Sequence, residues 1–236
     1  MRIATAISML LLAACGPTPA RERGEELFSD PGFSASKSNP FSCATCHGTR
    51  QGSEPDGDPD RVLPGYALAG AARRPAWWGG SYGTLLDAVN ECYVSFMRGA
   101  ALDAKNEDGL ALLVYLESIS PPGTEQSAAL PLSVVKDIAD VPNGDAARGA
   151  ATYAQSCASC HGQIHSGEGR LSSLIARLPD DTIRDFGSDP KTGARAVAIE
   201  KARHGRYFGI GGNMPLYPIE ALSDAQLGDI LAYLGL

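Results

Sequence analysis

The chain of 236 residues is 44% apolar, 20% charged and 7% aromatic, enough apolar material for a sizeable core, which excludes a disordered or collagen-like chain. Lys and Arg number 20 against 27 Asp and Glu, a formal net charge of −7, so nucleic acid is excluded as a partner on charge. Of the 6 cysteines, four fall in two Cys-x-x-Cys-His copies, one stands at position 15, and Cys92 is left over without a partner for a disulfide.

In chain order, Met1 to Ala14 comes first, with one cation, Arg2, and then an apolar run from Ile3 to Ala14 that ends in the small pair Ala13 and Ala14. That is the pattern of a signal peptide spanning residues 1–14. The run is too short to cross a bilayer, which takes roughly 20 residues. Leu12, Ala13, Ala14 and Cys15 resemble the lipobox of bacterial lipoproteins, and the resemblance implies that Cys15 is acylated and anchors the mature chain to a membrane. The alternative is an ordinary secretory signal with an incidental cysteine. Either way the expected location is the periplasmic or cell-envelope side. Residues 15–143 hold 10 basic and 17 acidic side chains, whereas residues 144–236 hold 9 and 10. The acidic first half is expected to steer towards redox protein partners with basic docking surfaces. Glu54, Asp56, Asp58 and Asp60, interrupted by Pro55, Gly57 and Pro59, lack the spacing and the closing Glu of an EF-hand and read as a solvated loop.

The organisation beyond this point is a repeat. Gly24, Phe28, Cys43, Cys46, His47, Met97, Tyr115 and Leu116 recur in order as Gly149, Tyr153, Cys157, Cys160, His161, Met214, Tyr233 and Leu234. His47 to Met97 is 50 residues and His161 to Met214 is 53, which predicts two tandem domains, 15–119 and 144–236. Between them, residues 120–143 carry Pro121, Pro122, Pro131 and Pro142 and read as a linker, with Leu130, Leu132, Val134, Val135 and Ile138 able to pack. Asp30 to Pro40, rich in Ser, Pro and Gly, reads as a loop inserted in the first copy. Thr84 and Asp87 resemble a capping box opening a helix that carries Leu86, Val89, Tyr93 and Phe96 or Met97 on one face and stops at Gly99. Leu112, Leu113, Leu116 and Ile119 predict another helix, as do Leu227, Ile230, Leu231 and Leu234 behind Ser223. No stretch shows the two-residue alternation of a substantial sheet, so the predicted fold class is all-α.

Cys43, Ala44, Thr45, Cys46, His47 and Cys157, Ala158, Ser159, Cys160, His161 carry the chemistry. Two thiols separated by two residues can add to the two vinyl groups of one haem, and the histidine that follows is held over the ring to ligate iron. Covalent attachment keeps a haem in a domain of about a hundred residues, too small to enclose it by burial alone. A zinc site needs a further ligand pair at matching spacing and a redox dithiol needs a βαβ setting; neither is visible. Two covalently attached haem c groups follow, with His47 and His161 as proximal ligands.

With these motifs placed, the chain resembles the class I cytochromes c over essentially its whole mature length. The resemblance implies that Gly24 and Phe28 cross the last helix of the first domain at Tyr115, and that Gly149 and Tyr153 cross that of the second at Tyr233. It implies a methionine on a late loop as sixth iron ligand, and Gly211, Gly212, Asn213, Met214, Pro215 matches that pattern, making Met214 the distal ligand of haem 2. In the first domain Met97 lacks the following proline and stands five positions after Cys92, a rotation of about 140° on a helix of 3.6 residues per turn. A continuous helix cannot aim both side chains at one iron, and the ligand of haem 1 stays open between Met97 and Cys92. A thiolate lowers the iron potential and a thioether raises it.

The segment from Ala88 to Gly99 is similar to the corresponding region of thiosulfate dehydrogenases and, more distantly, of SoxA-type cytochromes. That similarity implies a cysteine on a catalytic haem and a small sulfur anion as substrate. Two functions follow: an exported dihaem carrier of single electrons, or a haem enzyme oxidising such an anion with Cys92 on haem 1. His165 and His204 are weaker ligand candidates. Trp77 and Trp78 are expected to wall the haem 1 pocket, and Arg73 and Arg74 to meet haem propionates or water.

Overall fold

The structure, a computed structural model, describes residues 19–50, 60–138, 140–187, 189, 193–207 and 212–236. The signal segment, Cys15, the acidic residues Glu54, Asp56 and Asp58, and Gly211 lie outside the described residues. The described fold is all-α: the only β pairing among those residues is an isolated bridge between Trp77 and Tyr82. No helix among them is long and apolar enough to cross a membrane.

Two helix crossings organise the molecule. The N-terminal helix α1 (Ala20–Ser29) is followed by the short α2 (Cys43–Cys46), then α3 (Leu85–Ser95) and α4 (Glu107–Ser118). α1 lies across α4 because Gly24 has no side chain; a Cβ there would overlap the Ala111 carbonyl oxygen and press on Tyr115. Phe28 then meets the Tyr115 ring at 5.5 Å between centroids, tilted by 49°. The second half repeats the arrangement with α5 (Ala146–Ser156), α6 (Ala158–His161), α7 (Asp180–Phe186), α8 (Ala194–His204) and α9 (Asp224–Leu234). Gly149 sits against the Asp229 carbonyl as Gly24 does against Ala111, and Tyr153 meets Tyr233 at 5.6 Å and 54°.

Each crossing is also pinned by the arginine that precedes its glycine. Arg23 donates to Asp108 Oδ1 from Nε at 3.1 Å and from a terminal nitrogen at 2.7 Å. Arg148 clasps both Asp229 oxygens at 2.8 Å, and the Asp145 backbone N–H adds a third bond to that carboxylate at 2.7 Å.

Helix ends follow the capping chemistry. Thr84 accepts from the Asp87 N–H to start α3, Asn106 from the Gly109 N–H to start α4, and Ser223 shares a reciprocal box with Gln226 at the start of α9. α3 ends at Ser95, before Met97, where the Met97 and Gly99 N–H groups turn back to the Cys92 and Tyr93 carbonyls. The expected continuation of this helix to Met97 is therefore corrected.

The proline-rich stretch between the crossings packs over both halves. The Pro131 carbonyl accepts from Tyr66 Oη at 2.6 Å, Ser133 Oγ donates to Glu220 Oε1 at 2.6 Å, and the Val135 carbonyl faces His204 Nε2 at 2.6 Å. The loop Asp30 to Pro40 is likewise built into the core: its Phe33 meets Tyr93 at 4.6 Å between ring centroids, tilted by 35°, and Phe41, just after it, is buried in the same cluster as Tyr93 and Met97. Prolines stop helices, but nothing in that rule prevents the apolar residues between them from packing.

Candidate haem sites

One cavity brings together the first cysteine pair and the open ligand question. Cys43, Cys46 and His47 line it along with Cys92 and Met97, and Trp77 and Trp78 are among its walls. Its empty volume, which runs out into solvent at the mouth, is about 1330 Å³. Its lining is apolar apart from a few groups, of which Arg74 is a cation. A macrocycle with a greasy body and an anionic edge suits that lining, and the residues present fit haem c.

His47 is prepared as a ligand. Its Nδ1 lies 2.8 Å from the Tyr66 carbonyl, which as a donor contact fixes the tautomer and leaves Nε2 free for a metal. Burial lowers the imidazole pKa, with the Tyr66 contact opposing and Arg74 adding to the shift, so the neutral, ligating form prevails. Gly65 passes so close to the ring that a Cβ there would overlap it. The second motif repeats this: His161 Nδ1 lies 2.9 Å from the Ala176 carbonyl, and burial again lowers its pKa. The main chain matches too, since the carbonyls of Cys46 and Cys160 accept from Gly65 N–H at 3.1 Å and Leu171 N–H at 3.0 Å.

The thiols are unlike those of a redox dithiol, which needs a lowered pKa. Burial pushes Cys43 up to about 12 and Cys157 up to about 11, and raises Cys46 and Cys160 as well. No group of three or more His, Cys, Asp or Glu among the described residues is arranged to hold a bare metal ion. The two motifs approach one another. Cys46 feels the charge of Cys160, and Arg61 acts on both, while Val62 N–H bonds the Gln155 carbonyl at 3.0 Å.

Met214 is partly buried against the second core, which contains Tyr153 and Tyr217, and Cys157, Ala158, Ile164 and Leu178 pack against that same core. Cys92 and Met97 both reach the first cavity because α3 ends between them, so the 140° argument, which needs a continuous helix, does not apply. Met97 is buried among Phe41 and Tyr93, with Cys43, Cys160 and Ile175 packed against them. The Cys92 thiol is pushed well above its ordinary range, first by burial and then by Cys43, Cys46 and Glu91. A thiolate there needs a cation to stabilise it.

The weaker candidates are engaged elsewhere. His204 has Glu200 at 2.9 Å on Nδ1 and the Val135 carbonyl on Nε2, leaving no nitrogen for iron. His165 is exposed and paired with Asp180 at 2.8 Å. Arg73 pairs with Glu117 and donates to the Ser120 carbonyl, while Arg74 lines the cavity. Leu130, Leu132, Pro215 and Leu216 also line the first cavity. No local motif marks Leu130, Leu132 or Leu216 as walls of this cavity, and the motif that contains Pro215 points to the second haem, because these roles come from the folding of distant segments onto one another.

Residues 144–234 match the family model described as Cytochrome C oxidase, cbb3-type, subunit III. That match supports a c-type cytochrome with covalently bound haem c, a class typically exported. The chain is also similar to a thiosulfate dehydrogenase of Psychrobacter arcticus, 26% identical over 206 residues, which cover 83% of this chain and 55% of that protein. Among solved structures, it is similar to thiosulfate dehydrogenase (TsdBA) from Marichromatium purpuratum in its "as isolated" form. Identity there is 21% and the TM-score 0.44, over 91% of this chain and 45% of that one. The chain spans about half the length of these two relatives.

Proposed function

We propose that the chain is a dihaem c-type cytochrome of two tandem domains, 15–119 and 144–236, that passes single electrons between protein partners on the periplasmic side. The observation that carries this reading is the repeated histidine geometry, with His47 and His161 each placing Nδ1 against a main-chain carbonyl behind a Cys-x-x-Cys pair. Haem c supplies one-electron redox chemistry when bound. The residues do the rest. Cys43, Cys46, Cys157 and Cys160 attach the groups, His47 and His161 serve as proximal ligands, and Met214 serves as distal ligand of the second. Arg74 would offer a cation to the anionic edge of the first, and the apolar lining would bury its ring. Intact-mass measurement of the exported protein is expected to show two covalent haems, and a single one overturns the dihaem reading.

Cys15 anchors this carrier to a membrane, and its acidic first half receives partners with basic surfaces. Metabolic labelling with a fatty acid, lost in Cys15→Ala, tests the anchor.

A second reading has specific support. Cys92 lines the first cavity, and the Psychrobacter arcticus relative is a thiosulfate dehydrogenase. On this reading Cys92 ligates haem 1, which oxidises a small sulfur anion, and haem 2 passes the electrons on. Against it, the negative charge of Glu91 raises the Cys92 pKa, after burial and the neighbouring cysteines, and the same charge would act against an anionic substrate. Ferric EPR of native protein and Cys92→Ser separates the readings. A thiolate-type signal lost in the variant, with thiosulfate turnover above a haem-free control, favours the enzyme. An unchanged methionine-type signal without turnover favours the carrier with Met97.

A further inference from the structure

The segments that carry the two distal-ligand candidates are tied to each other. Arg98 follows Met97 and Asn213 precedes Met214, and Arg98 donates from Nε to Asn213 Oδ1 at 2.8 Å and from a terminal nitrogen to the same oxygen. Arg98 holds a left-handed backbone, φ +62°, where the end of α3 turns back on itself. Such a position ordinarily takes glycine or asparagine, because a Cβ is strained there. An arginine kept in a strained conformation, with its side chain engaged 115 residues away, is an outlier of the kind that marks a functional role.

A second set of bonds runs beside the first. Tyr207 Oη donates to Glu91 Oε1 at 2.8 Å, and Arg206 donates to the Ser95 carbonyl. The Glu91 carboxylate also accepts from Tyr82 and Ser95, each at 2.8 Å, so it is a fixed post rather than a loose side chain. The Tyr207 ring meets Trp78 and Phe96 nearly perpendicularly, at 6.2 and 5.6 Å. Asn213, next to Met214, is thus fastened just beyond the end of α3, and Tyr207, earlier in the same stretch of chain, to Glu91 in the last turns of α3.

We propose that Arg98 and Tyr207 are positioning residues that hold the Met214 segment on the second haem from the first domain. The proposal rests on the reading of Met214 as distal ligand. It is tested on full-length holoprotein by the rate at which cyanide displaces methionine from the ferric second haem, followed through loss of its methionine-type EPR signal. Arg98→Gly removes the clasp while placing in the left-handed position the residue that fits it best. Tyr207→Phe removes the other bond and keeps the ring. Each substitution is expected to raise the rate about tenfold, the scale of one hydrogen bond to a charged group. Arg98→Gly combined with Asn213→Ala is expected to be no faster than either alone, since both break one interaction. Arg98→Lys, which retains a donor, should recover part of the native rate. Native rates in Arg98→Gly and Tyr207→Phe overturn the proposal, as does simple addition of the Arg98 and Asn213 effects. Met214→Ala separates this failure from failure of the ligand reading. If Met214 is the ligand, its loss alters the second-haem signal whatever the clasp does, and an unaltered signal removes the ligand reading itself.

Discussion

His47 depends on a neighbour that has no side chain. Gly65 runs against the imidazole while its N–H bonds the Cys46 carbonyl, so the ring is held between the Tyr66 carbonyl and bare main chain. Gly65→Ala inserts a methyl group into that contact and must push either the ring or the 64–66 segment aside. The expected result is loss of haem at the first site alone, read as a fall from two covalent haems per chain to one. Full incorporation in this variant would falsify the role given to Gly65. At Cys92 the local argument runs through charge. A thiol whose pKa burial has raised so far stays protonated at neutral pH unless iron draws off the proton, so its ligation state reports directly on whether haem 1 binds there.

Among the elements, the crossing of α5 and α9 carries a titratable pin. Hydrogen bonds from Arg148 and the Asp145 N–H lower the Asp229 pKa, against the opposing effect of burial. A carboxylate depressed in the folded state contributes stability that is present above its unfolded value of about 3.9 and is lost as pH falls through the folded value. Native protein is therefore expected to lose stability below about pH 4 faster than Asp229→Asn. At neutral pH that variant melts lower than native. Melting curves of both holoproteins between neutral and acid pH check this, and a constant gap between them at all pH values counts against the pin. The crossings themselves were legible in sequence, since Gly24, Phe28 and Tyr115 recur as Gly149, Tyr153 and Tyr233. The arginine pins were not, because Asp108 stands seven residues before Tyr115 whereas Asp229 stands four before Tyr233, so the two carboxylates do not occupy equivalent positions of the repeat. The end of α3 is hidden in the sequence for a related reason. Periodicity reports which face is apolar, and Met97 is apolar and buried whether or not the helix continues to it.

Over the whole molecule, charge and assembly order set the behaviour. With 27 acidic against 20 basic residues, electron exchange with a strongly basic monohaem cytochrome is expected to slow as salt rises, because the Debye length falls from about 10 Å at 0.1 M to about 3 Å at 1 M. Stopped-flow rates that are flat with ionic strength would count against acidic docking. The packed proline-rich stretch adds a consequence for biogenesis. A chain exported from its N-terminus delivers Cys43, Cys46 and His47 long before Leu130 and Leu132, and longer still before Pro215 and Leu216, which complete the same cavity. Were haem attached to the first motif during export, it would meet a chamber still open on one side, and the arrival of the C-terminal half would close that chamber around it.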